Sequence, residues 1–268
     1  MNYQLPDGAL LYYEYYQQHT HYPNLVFLNG LSQSTLVWKP FVEAFKHTHN
    51  VLLLDLVFQG NSTKEARYRT FEQHAADVNS LFELLGLERI TVVGISYGGA
   101  VAQRLMYLFA QRLVGAVLVS TFAHKTPYFN FIGEGWKNAL KAGGYSLMLD
   151  VMLPAVLGKI YFENPVIPIE TFRAMRSSLN DNPDALLKLM RATEESTDYR
   201  PNLQKVQLPT LVVQGEHDIL TTPEIGLAIA NALPNSRFIV LPKVGHSLNI
   251  EAVTALTEHI STFLKSLA

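Results

Sequence analysis

The 268-residue chain has no cysteine. Disulfides, thiolate metal sites and a cysteine nucleophile are therefore excluded, and packing alone must hold the fold. Charge of one sign is also missing: the formal net charge is −2 with 16% charged residues, which gives no general electrostatic reason to bind nucleic acid or an anionic membrane. No stretch approaches the roughly 18 to 20 consecutive apolar residues of a membrane-spanning helix. The opening "MNYQLPDGALLYYEYYQQHTHYP" has no basic leader, apolar core and small-residue cleavage site in succession, so a cytoplasmic location is expected. What the chain does have is apolar content. At 48% hydrophobic residues it can bury the core of one large domain, or of a domain with an insertion.

"MNYQL" and "ALLYYEYY" flank "PDG", a turn sequence, and read as an opening β-hairpin. The runs at 24–30, 50–56, 89–95, 113–121, 210–215 and 237–242 are nearly unbroken Val, Ile and Leu, the pattern of strands covered on both faces. Helix-period segments at 36–46, 70–85, 97–110 and 223–232 separate them, and an amphipathic helix near 249–267 closes the chain. Strand and helix in alternation define an α/β fold with a mostly parallel sheet and helices on both sides. Ligands of such sheets collect at the carboxyl ends of the strands. The interval 122–205 breaks the alternation with helical, aromatic and Met-rich sequence. It reads as a helical cap inserted into a core made of 1–121 and 206–268. Phe129, Phe131, Trp136, Met148, Met152, Leu153, Tyr161 and Phe162 could line a lipophilic pocket there, or glue the cap to the core; for any one of them the second role is the commoner.

"GISYG" (94–98) matches G-x-S-x-G, in which a strand turns sharply into a helix and thrusts the serine into a strained, exposed position. An apolar strand precedes it and a helical segment follows, which favours Ser96 as a nucleophile over a turn serine. A serine hydroxyl needs a base, and the base a carboxylate to orient it. In this architecture both follow the serine, acid first. "LVVQGEHDILTTPE" places Asp218 just past a strand end, with Glu216 as its competitor, and "LPKVGHSLNIE" places His246 just past the next. Donors for a developing oxyanion would be the backbone N–H of Tyr97 and that of Leu31, after Asn29-Gly30. A metal site is not expected: "HTH" at 19–21 and 47–49 has the wrong spacing for paired ligands. "VVGISYGG" does not supply G-x-G-x-x-G, so a dinucleotide cofactor is not expected either.

Together these residues resemble the α/β-hydrolase superfamily, in particular its compact esterase- and lactonase-like branch with a helical cap after the sixth strand. The resemblance spans nearly the whole chain. It implies an eight-stranded sheet, a Ser96–Asp218–His246 triad, an oxyanion hole from the Leu31 and Tyr97 amides, no cofactor, and a small, apolar acyl substrate cleaved through an acyl-enzyme on Ser96. Two departures stand out. Asn29-Gly30 replaces the usual His-Gly, and "DLVFQGNS" keeps Asp55, Gly60 and Ser62 of D-x-R-G-x-G-x-S but puts Val57 and Phe58 at the bend. Asn29, Gly30, Phe58 and Trp136 are accordingly the candidate substrate contacts, although the apolar bend could equally repack its own loop. The departures, with Thr221-Thr222, are locally similar to enzymes that transfer 3-hydroxyacyl groups carried on acyl carrier protein. Acyl transfer with that partner is the second reading, and a small-ligand receptor on the same fold the third.

Overall fold

The computed structural model describes residues 1–180 and 182–267. Strands β1 (Asn2–Gln4) and β2 (Leu10–Tyr16) form the opening antiparallel hairpin. Alternating elements follow: β3 (Asn24–Leu28), α1 (Lys39–Phe45), β4 (Asn50–Leu54), α2 (Phe71–Leu84), β5 (Ile90–Ile95), α3 (Tyr97–Leu108) and β6 (Leu113–Val119). Five helices then intervene, namely α4 (Pro127–Val156), α5 (Lys159–Glu163), α6 (Ile169–Ser177), α7 (Pro183–Glu195) and α8 (Arg200–Leu203). The chain returns through β7 (Thr210–Gly215), α9 (Pro223–Ala232) and β8 (Ser236–Leu241), and ends in α10 (Leu248–Glu251) and α11 (Val253–Lys265). The eight strands lie in the order β1-β2-β4-β3-β5-β6-β7-β8, antiparallel at β1, β2 and β4 and parallel from β4 onward.

Unbroken apolar strands need cover on both faces, and they have it. In β3, Val26 and Leu28 pack toward α2 and α3, while Leu25 and Phe27 pack toward α1 and α11, all of them at 0% exposure. Removing each such side chain from water contributes about 1.5–3 kcal/mol. β8 departs from the expected pattern. It is an edge of the sheet, paired only with β7 among the described residues, and Val240 is exposed. α2 starts where its cap dictates: Gln73 N donates to Thr70 Oγ1 and Thr70 N to Gln73 Oε1, a reciprocal capping box. The long α4 is broken at Gly143 and Gly144, whose dihedrals are not helical. No helix among the described residues is long and apolar enough to cross a membrane.

One buried side chain makes stability depend on pH. His74 of α2 is fully enclosed between the rings of Phe58 and Tyr97, and neither ring nitrogen has a protein partner among the described residues. Burial, reinforced by the Arg69 charge, pushes the imidazole down to about 3. The folded chain therefore keeps His74 neutral while the unfolded chain takes up a proton near pH 6.5, so stability present above 6.5 is lost as pH falls toward 3. At pH 5 this amounts to about 2 kcal/mol. His74→Leu is expected to improve Tm at pH 5 by several degrees relative to its effect at pH 8. Thermal melts at the two pH values check this, and equal shifts at both would contradict it.

Candidate active site

β5 runs straight into α3 through Ser96, whose φ of 52° and ψ of −114° lie in a region that residues with a Cβ rarely adopt. Holding a residue there costs about 1–3 kcal/mol, which the surroundings must offset. Backbone contacts do so. Ser96 N donates to Val119 O at 2.9 Å, and Ser96 O accepts from Ala100 N at 3.1 Å and Thr121 Oγ1 at 2.7 Å. The neighbouring glycines are required by space: a Cβ on Gly94 would lie 2.4 Å from Gly98 O, and one on Gly98 would lie 2.5 Å from Leu28 O. The bend can form only because these chains touch backbone to backbone.

Asp218 and His246 meet on the loops that follow β7 and β8. Asp218 follows β7, is 2% exposed, and accepts on Oδ1 from the amides of Leu220 at 2.9 Å and Thr221 at 2.8 Å. Its Oδ2 accepts from Thr221 Oγ1 at 2.8 Å and lies 2.8 Å from His246 Nδ1. Glu216, its competitor on the same loop, is exposed and accepts from Lys243 N instead. The histidine loop is clamped on three sides. Glu251 Oε2 accepts from Gly245 N and Gly158 N, and Oε1 from Ser247 N, while burial pushes its carboxyl up against those three donors. Ser247 N also reaches Val156 O. The loop following α4 thus shares one carboxylate with the loop that carries His246. With Nδ1 committed to Asp218, the other ring nitrogen is left for the cavity that His246 lines, where an imidazole so held can take a proton from a hydroxyl and return it.

The segment after β3 is shaped from beneath. Asp55 is wholly buried, which raises its carboxyl, and it accepts from Asn29 Nδ2 at 2.9 Å, Thr35 N at 2.8 Å and Asn61 N at 2.8 Å. Trp38 Nε1 closes the group on Asn29 Oδ1 at 3.0 Å. Gln59 Nε2 donates to Gly30 O at 2.9 Å and to Leu31 O at 3.4 Å. Gln33 Oε1 accepts from Gly30 N and from Asn249 Nδ2, so the segment after β3 is tied to the helix that follows His246. Sequence reasoning missed Gln33, Gln59, Asn249 and Glu251. The one signal for any of them was that Gln59 stands within the turn already singled out for its departures.

Two cavities meet at Ser96. The larger, of 450 Å³, is lined by Leu31, Ser96, Tyr97, Phe122, Phe129, Trp136, Met190 and Leu220, with Lys125, Lys137, Lys141, Glu134 and Glu194 among its polar lining. The smaller, of 40 Å³, is lined by Gly30, Leu31, Ser32, Ser96, Trp136, Arg176 and His246, among others. Gly30 and Trp136, expected to touch substrate, therefore do face a cavity. Asn29 and Phe58 do not line either one, which corrects that expectation. The Asn29 amide is consumed by Leu54 O, Asp55 and Trp38, and Phe58, at φ +79°, turns its ring into the core against His74 and beneath Lys188 Nζ. Met152 and Leu153 line the smaller cavity, Met148 and Tyr161 are core residues, and Phe131 and Phe162 are exposed. The features that suggested hydroxyacyl transfer thus have structural duties: Asn29 braces Asp55, the apolar bend fills the core, and Thr221 serves Asp218. No cluster of His, Asp or Glu among the described residues is arranged to hold a metal ion.

An eight-stranded, mostly parallel sheet, a strained serine at a strand-to-helix bend, and an acid and a histidine past the last two strands place the chain in a known class. It belongs to the alpha/beta hydrolase fold family, whose model matches residues 23–253. The chain is 25% identical to 3-oxoadipate enol-lactonase 2 of Acinetobacter baylyi over 91% of this chain and 89% of that one. Among solved structures, MGS-M2, an alpha/beta hydrolase enzyme from a Medee basin deep-sea metagenome library, matches with a TM-score of 0.91 at 25% identity, covering 99% of this chain and 97% of its own. A thermophilic esterase from Thermogutta terrifontis, solved with malate bound, matches with a TM-score of 0.87 at 26% identity, covering 100% and 98%.

Proposed function

We propose that the protein is a serine hydrolase that cleaves a carboxylic ester, thioester or lactone. Ser96 Oγ attacks the carbonyl carbon while His246 takes its proton; the imidazolium, held by Asp218, then protonates the leaving alcohol or thiol. Water, deprotonated by the same histidine, attacks the acyl-Ser96 ester and releases the carboxylic acid. The amides of Leu31 and Tyr97 stabilise the oxyanion formed at each attack. The observation that carries the reading is the buried Asp218–His246 contact of 2.8 Å opening onto a cavity whose wall includes Ser96. The esterase and enol-lactonase among its relatives support the choice of ester and lactone substrates.

Residues 122–205 act as the cap in this reading, and Trp136, which lines both cavities, as the wall between the two compartments that receive the substrate. A cavity of 450 Å³ lies in the range of small-molecule sites, which points to a short or medium acyl group. The test is hydrolysis of 4-nitrophenyl esters from acetate to decanoate by purified protein. Turnover with an optimum at short or medium chains, with free acid as the sole acyl product, is expected. No hydrolysis of any ester, thioester or lactone offered would sink the reading.

A further inference from the structure

The smaller cavity is lined by a cation, Arg176, that no carboxylate among the described residues pairs with. Arg176, near the end of α6, donates from Nη2 to Ser32 Oγ at 2.6 Å and from Nε to Tyr145 OH at 3.3 Å, and its guanidinium lies over the Phe172 ring at 5.5 Å. Tyr145 OH in turn donates to Ser32 Oγ at 3.1 Å, and Asn180 Nδ2 donates to Ser32 O at 3.2 Å and Arg176 O at 2.8 Å. All of these partners are neutral. Every other arginine among the described residues either pairs with a carboxylate, as Arg69 does with Asp7 and Asp77 and Arg104 with Glu72, or is exposed, as Arg89 and Arg237 are. Arg176 alone is partly withdrawn from water without an acidic partner among the described residues, and it is fixed there by hydrogen bonds.

A partly desolvated charge without a counter-ion is unfavourable, and a fixed guanidinium presents a planar fork of N–H donors suited to a carboxylate. Two of those donors are engaged by hydroxyls, which leaves others to meet a ligand. The cavity these donors share with Ser96 and His246 measures 40 Å³, room for a group of a few heavy atoms and not for an acyl chain. Ser32, the anchor for Nη2, directly follows Leu31. An anion held here therefore sits within a few bonds of a carbonyl carbon at Ser96.

From this we infer that the smaller cavity is a carboxylate subsite and that the substrate is an ester or lactone carrying a free carboxylate a few bonds from the scissile carbonyl. The inference rests on the hydrolase reading and narrows it. Arg176 binds and orients the charged end, and the larger cavity takes the remainder.

Methanol release from monomethyl succinate and from dimethyl succinate, which differ only in the charged end, measures the preference in wild type, Arg176→Met and Arg176→Lys. Calorimetric titration with succinate measures anion binding without any need for turnover. Wild type is expected to favour the monoester in kcat/KM. Arg176→Met should lower kcat/KM for the monoester about 10- to 100-fold more than for the diester, the range for a lost charge-assisted hydrogen bond. Succinate binding should be lost with it, and Arg176→Lys, which keeps the charge on a point donor, should fall between. Melting curves separate these effects from misfolding, and the lysine variant keeps the test valid if the methionine variant fails to fold. Equal losses on both esters, or succinate binding that does not depend on Arg176, would overturn the subsite. No turnover of either ester, with Arg176-dependent succinate binding retained, would count against the hydrolase reading and leave the anion site standing.

Discussion

Ser96→Ala is expected to lower kcat on the best ester about 10⁴-fold or more, with Tm close to that of wild type. The size follows from the role: without the hydroxyl no acyl-enzyme forms, and only the oxyanion donors and substrate binding remain to accelerate attack by water. The stability follows from geometry. Every hydrogen bond made by Ser96 that shapes the bend uses its backbone N–H or C=O, and alanine keeps both. Alanine also keeps the Cβ, so the strain at φ 52° is unchanged. Ser96→Gly separates the two effects. It should be as inactive, yet relief of the positive φ should offset the greater freedom of its unfolded chain, because glycine reaches that conformation without a Cβ clash. Steady-state kinetics with melting curves on both variants check this. A tenfold loss or less in Ser96→Ala would remove the serine from the chemistry.

Asp218→Asn is expected to lower kcat about 10³- to 10⁴-fold while leaving the fold intact. An asparagine oxygen at Oδ1 would still accept from the amides of Leu220 and Thr221, so the loop keeps its two backbone anchors. The amide NH₂ would replace Oδ2, the atom that faces both Thr221 Oγ1 and His246 Nδ1. An NH₂ donates where a carboxylate accepts. It would hold Nδ1 as an acceptor and place the ring proton on Nε2, so the imidazole could not take the serine proton. Thr221 Oγ1, 3.1 Å from His246 Nδ1, is a neighbour able to soften that effect. kcat/KM for the variant, with a crystal structure or melting curve showing an unchanged fold, checks this. Activity within threefold of wild type would mean that Asp218 does not orient the base.

The parallel sheet was legible because its middle strands are covered on both faces, which forces the continuous apolar runs of β3 through β7. β8 shows the limit of that logic, since Ile239 and Val240 look the same in sequence whether or not another strand follows. Ser96, Asp218 and His246 could be picked out as candidates because a bend of this kind needs particular residues at particular spacings, and strand ends fix where loops can meet. The substrate contacts were not open to the same reasoning. Whether Phe58 points into a cavity or into the core depends on the positive φ at that residue and on His74 beneath it, neither of which has a local sequence signature. Distance along the chain hid the rest. Gln33 and Asn249 lie 216 residues apart, and Arg176 reaches Ser32 across 144, so the pairs exist only once the sheet has brought loops from both halves to one edge.

The central claim is that Ser96 becomes covalently acylated. Reaction with a fluorophosphonate, followed by intact mass and peptide mapping, tests it most directly. One adduct per chain is expected, on the peptide containing Ser96, formed in step with loss of esterase activity and absent from Ser96→Ala. Full esterase activity in protein that carries no adduct, or an adduct confined to another residue, would contradict it.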